Sequence, residues 1–123
     1  VLTTAIRERN TAIVALTVDT VGGEWRELGE QIPEAKDTSV AGGLRERVRA
    51  RAAVRDMVLA LRQIDMAASR NDFQAAGEAY AGYRAQVATA ATALAAAEPW
   101  SLFDPEVRRG HVAALARLAA LAK

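Results

Sequence analysis

Phe73, Tyr80, Val87 and Leu94 recur every seven residues through a stretch that is half alanine. A line at this spacing keeps facing a neighbouring helix only when the two helices pack at a shallow angle. A second line, Ala76, Tyr83, Ala90 and Ala97, runs beside it. Its alternation of large and small residues lets facing helices interdigitate. Twelve of the 23 residues from Ala75 to Ala97 are alanine, the best helix former and one that lets backbones approach closely. The local signals agree. Asn71 is placed to cap the helix, Gln74 follows at the capping-box position, and Pro99 stops it.

The rest of the chain carries the same period. Val14, Val18, Val21, Trp25, Leu28 and Ile32 step by four and three, which predicts a first helix from Leu2 to Ile32. Gly22 and Gly23 lie mid-seam, where a bend or break is expected, and Pro33 ends the helix. Thr38 or Ser39 caps a second helix that runs to Ser69, with Val54, Met57, Val58, Leu61, Ile64 and Ala68 on its face. Asp104 followed by Pro105 begins a fourth helix carrying Val107, His111, Leu115 and Leu118. Short connections make consecutive helices antiparallel. The expected fold is therefore all-α, an antiparallel up-down-up-down four-helix bundle formed by residues 1–123 as a single domain.

Composition narrows the function classes. Sixteen basic and 15 acidic residues give a net charge of +1, whereas a nucleic-acid binder is usually lopsided towards base. With no cysteine, disulfides, thiolate metal sites and cysteine nucleophiles drop out. No apolar run is long enough to span a membrane. The chain begins at Val1 without methionine, which fits a processed protein or an excised domain and slightly favours a periplasmic or otherwise extracytoplasmic location.

The single histidine, His111, sits one turn from both Val107 and Leu115. At this level the chain resembles the soluble b-type cytochrome bundles, in which a last-helix histidine binds haem with a methionine near the start of the first helix. Here Met57 and Met66 both fall on the second helix, so the resemblance implies a displaced second ligand. The competing reading is a half-buried histidine near a helix start. Two other helical families share isolated residues with the chain. GHVAAL around His111 departs from the histidine, leucine, lysine and glycine pattern of phosphotransfer bundles. Arg7, Arg26 and Lys36 resemble the dicarboxylate-holding cations of helical chorismate mutases, but Pro33 separates Lys36 from the helix.

Charge patterning gives the sharpest functional candidate. Arg47, Arg51 and Arg55 share one stripe of the second helix, extended by Arg62. Guanidinium forks in that arrangement suit a carboxylate or phosphate ligand. The rival role is structural. Asp19 to Asp37 carries six acids against Arg26 and Lys36, and Arg45 to Arg55 carries five arginines against Glu46. In an antiparallel hairpin these segments lie side by side and match. Trp100, Leu102 and Phe103 either plug the end of the bundle or present a partner contact. The expected function is a non-catalytic bundle that binds a small anionic ligand or a protein partner, with no resident cofactor and with homodimerisation through helix packing. Extracytoplasmic sensor domains of bacterial receptors have this length and helix count. The alternative is a haem- or other cofactor-binding bundle using His111.

Overall fold

The computed structural model describes residues 1–37, 42–100 and Arg117. Among these residues the chain is all helix and turn: α1 (Leu2–Arg7), α2 (Thr11–Glu30), α3 (Leu44–Ser69), α4 (Phe73–Ala97) and a 3-10 turn, Glu98–Trp100. α3 packs against both α2 and α4, and α1 lies against α2 and α4. Gly22 approaches Leu61 and Gly29 approaches Val54, so α2 and α3 are antiparallel. α2, α3 and α4 run up, down and up. Arg117, in helical conformation, comes within 3.3 Å of Glu24 on α2. The rest of the expected fourth helix, including Asp104, Pro105 and His111, lies outside the described residues, as do Leu102 and Phe103.

The heptad line is the core of α4. Tyr80, Val87 and Leu94 are buried, and so are all four residues of the second line, Ala76, Tyr83, Ala90 and Ala97. They meet Val54, Met57, Leu61 and Ile64 of α3 and Val14, Val18, Trp25 and Leu28 of α2 in one cluster. Burying a side chain of this size fully contributes ~1.5–3 kcal/mol.

Three boundaries differ from the sequence-based expectation. Leu2–Ile32 is two helices, and the break falls at Glu8–Asn10 rather than at the glycines. Arg9 takes the left-handed conformation, φ 55°. Its N–H donates to the Ile6 carbonyl and the Asn10 N–H to the Ala5 carbonyl, closing α1 in a Schellman turn. Asn10 then caps α2 by accepting from the Ile13 N–H at 3.1 Å. The left-handed region costs an L-residue ~1–2 kcal/mol. The Arg9 guanidinium, stacked 5.9 Å from the Phe73 ring centroid, offsets part of that.

The turn between α3 and α4 repeats the device. Asn71 is left-handed, φ 61°, and ends α3, while Asp72 rather than Asn71 caps α4, accepting from the Ala75 N–H at 3.0 Å. The cap moves one residue because the position before it must be left-handed, and asparagine tolerates that better than most residues. The third correction concerns α3. It begins at Leu44 behind Gly42 and Gly43, with φ of 91° and 65°. Thr38 and Ser39 lie outside the described residues. The ring of Trp100 lies against Gly42 and Gly43 so closely that a Cβ at Gly43 would overlap it. Trp100 is half-buried against this turn.

One buried polar contact links the outer two helices. Trp25 is fully buried, and its Nε1–H donates to the Tyr83 hydroxyl at 3.1 Å. Burial raises the Tyr83 pKa above its ordinary value, while the Trp25 hydrogen bond acts in the opposite direction. The folded state therefore holds the phenolic proton more tightly than the unfolded chain does. The resulting stability is intact below pH ~10 and is lost as pH rises through the folded-state pKa. Tyr83→Phe should lose ~1–3 kcal/mol at neutral pH, because a buried indole N–H is left unpaired. It should also show a shallower decline of stability in strong alkali than the parent. Urea melts at pH 7 and above pH 10 measure both effects. An unchanged alkaline slope would contradict the assignment.

Candidate functional site

The carboxyl-terminal end of α2 meets the first turns of α3, and the arginine stripe lies on that junction. A helix end leaves carbonyl groups without intrahelical donors. Here Arg51 Nη1 donates to the Ile32 carbonyl at 2.6 Å and to the Gly29 carbonyl at 3.4 Å. Arg47 Nη1 donates to the carbonyls of Glu34 at 3.1 Å and Asp37 at 3.4 Å. The two arginines thus clamp the last turn of α2 and the chain that follows it. Arg47 is only 3% exposed, the one buried charged residue among those described, and its Nε has no hydrogen-bond partner.

The matched charges of the hairpin are expressed mainly through these carbonyls. Of Arg47, Arg51 and Arg55, among the described residues only Arg51 approaches an acid of the Asp19–Asp37 segment, with Nη2 3.5 Å from Glu34 Oε1. That carboxylate also lies 3.5 Å from Lys36 Nζ. Both pairs are solvated, so each adds at most ~1 kcal/mol.

The stripe does not converge on one opening. Arg47 points into the interior. Arg51 and Arg55 line a cleft of about 220 Å³ between α2 and α3, together with Arg26, Gly29, Glu30 and Val54. Gly29 makes this cleft. A Cβ there would come 2.9 Å from Val54 Cγ1, so only glycine allows the helices to approach this closely. Three arginines and one glutamate line it, with Gly29 and Val54 between them. Arg26 and Arg55 are exposed, and neither has an ion-pair partner among the described residues. Arg51 is held in place by the carbonyls it binds. The cleft therefore has one fixed and two adjustable forks, the donor geometry that suits a planar or tetrahedral oxyanion.

Arg26 is the residue that sequence reasoning did not assign to this site. Its signal was the pairing register: with Gly22 against Leu61 and Gly29 against Val54, position 26 falls between them beside Arg55. Further along the same seam, Arg26 and Arg62 face Asp19 and Asp65 in a smaller cleft of about 120 Å³. Two arginines and two acids line that cleft, and Arg26 borders both clefts.

Among the described residues, no three or more histidine, cysteine or carboxylate side chains gather to hold a metal ion. No described helix is long and apolar enough to cross a membrane. Met57 is buried in the core and Met66 is half exposed on α3. Fold and site together define an α-helical bundle with an arginine-lined cleft between two antiparallel helices. Compared with known proteins, the chain matches no family model, no curated protein and no solved structure.

Proposed function

We propose that this chain is a non-catalytic helical module that binds a small carboxylate or phosphate in the cleft between α2 and α3. The observation that carries this reading is that Arg26 and Arg55, exposed and without an ion-pair partner among the described residues, line one cleft with the pinned Arg51. Two cations without ion-pair partners among the described residues, beside a third held by backbone carbonyls and Glu34, would gain from an oxyanion bound between them. Arg47 supports the site from behind by fixing the segment after α2. Glu30 on the rim would accept a hydrogen bond from a ligand that carries a donor beside its anionic group. Such a module fits the role of an extracytoplasmic sensor domain in a bacterial receptor, where an occupied cleft would bias helix packing.

A ligand that binds only the native state stabilises it by ~2.7 kcal/mol at a hundredfold excess over its Kd. Inorganic phosphate or a small dicarboxylate, compared with chloride at matched ionic strength, should therefore raise the melting temperature by several degrees. Arg55→Glu should abolish the shift, and Arg49→Glu, on the opposite flank of α3, should keep it. Equal melting temperatures with and without these anions would remove the reading. The alternative, haem held through His111, rests on a residue outside those described. Absorption spectra recorded during a haem titration distinguish it by a Soret band that His111→Ala removes.

A further inference from the structure

We propose that Glu34 is a tethered competitor for the anion site, holding one half of the Arg51 fork until a ligand in the α2–α3 cleft displaces it. The proposal rests on the anion reading of that cleft. It starts from Pro33. In a continuing helix the Gly29 carbonyl would accept from the N–H of residue 33, and proline has none. Arg51 Nη1 supplies a donor instead, 3.4 Å from the Gly29 carbonyl and 2.6 Å from that of Ile32. These acceptors are backbone atoms at the end of a packed helix, and Ile32 is itself buried. Nη1 is therefore committed to the fold. Nη2 is not. It lies 3.5 Å from Glu34 Oε1, in a contact whose two side chains are 37% and 52% exposed.

Arg51 and Glu30 line two clefts at once. One is the candidate site, shared with Arg26 and Arg55. The other, of about 500 Å³, is shared with Ile32, Pro33, Glu34, Lys36 and Asp37. To use the second nitrogen of the fork, an oxyanion in the first cleft must take it from a carboxylate in the second. Glu34 stands two residues after the Ile32 carbonyl that Nη1 holds. On so short a tether a carboxylate competes at an effective concentration on the order of millimolar. Lys36 Nζ lies 3.5 Å from Glu34 Oε2 and would keep the displaced carboxylate. The exchange swaps one solvated ion pair for another, and pairs of this kind are weak enough to open. Occupancy of the cleft is thereby felt in the chain that follows α2, while Arg47 still holds the Glu34 and Asp37 carbonyls.

Titrations with inorganic phosphate at constant ionic strength, followed by NMR, test the exchange. Glu34→Gln should bind phosphate about two- to fivefold more tightly than the parent, the factor that a solvated ion pair is worth. In an Arg51→Lys background the same change should give no gain, because lysine has a single nitrogen and the Ile32 carbonyl keeps it. In the parent chain the carboxyl carbon-13 resonance of Glu34 should shift with the midpoint of phosphate binding. That of Glu78, exposed on α4, should stay still. Equal affinities of the parent and Glu34→Gln chains would overturn the proposal and leave the anion site standing. So would a gain that persists in the Arg51→Lys chain, which would be a plain charge effect, or a still Glu34 resonance at saturation. Parent and Glu34→Gln chains that both ignore phosphate would remove the anion site, and this exchange with it.

Discussion

Replacing Val87 with aspartate should unfold the chain or leave it marginally stable at room temperature. Val87 is 1% exposed at the middle of the α4 seam, inside the apolar core cluster. The new carboxyl group must either lose its charge or remain buried and unpaired. Leaving an uncompensated charge inside a protein costs ~3–5 kcal/mol. The whole stability of a domain is only ~5–15 kcal/mol. Ala85→Glu, on the exposed side of the same helix, is the control and should move stability by less than ~0.5 kcal/mol. Thermal melts followed by circular dichroism separate the two. A Val87→Asp protein that melts like its parent would show that α4 does not bury this line.

Gly43→Ala should be nearly as damaging, although it adds one methyl group. The residue sits at φ 65°, where an L-side chain loses ~1–2 kcal/mol, and the added Cβ would fall on the Trp100 ring. The two effects can be separated. In a Trp100→Ala background the steric part vanishes and only the backbone cost remains. A double-mutant cycle between the two positions should thus return a coupling of ~1–3 kcal/mol. Additive effects would mean that the indole does not rest on this turn, and that the bundle end is closed some other way.

These two sites mark what was and was not legible in the sequence. The Val87 line could be read directly because a heptad spacing has one physical use in a helix of this composition. The same period gave the α3 face, where Val54, Met57, Leu61, Ile64 and Ala68 are all buried. The helix breaks were harder. Gly22 and Gly23 look like a hinge but lie inside unbroken α2, where Gly22 is buried beside Leu61. The real interruption is at Arg9, a residue with no intrinsic liking for the left-handed region. Its only advance sign was Asn10 standing before Thr11, Ala12 and Ile13 as a cap. Gly42 and Gly43 gave a fair signal for the start of α3, but capping residues upstream offered a competing one.

The arginine stripe was legible as a stripe but not as a site. Sequence pairs arginines with carboxylates because both are visible in it, whereas backbone acceptors are not. The carbonyls of Gly29, Ile32, Glu34 and Asp37 become acceptors only because α2 ends where it does. Arg26 enters the cleft through the register of the two helices, in which Gly29 approaches Val54 closely and Gly22 lies beside Leu61. Charge counting along the chain treats Arg26 as one base among many acids. The fold places it beside Arg55.

The central claim is that Arg26, Arg51 and Arg55 form an oxyanion site while Arg47 serves the fold. Nitrogen–proton NMR spectra of the arginine Nε groups, recorded during a phosphate titration at constant ionic strength, address it residue by residue. The account predicts saturable shifts at Arg26, Arg51 and Arg55 with a common midpoint, and a still Arg47 resonance. Shifts that never saturate, or that spread equally over the exposed Arg45 and Arg49, would contradict it.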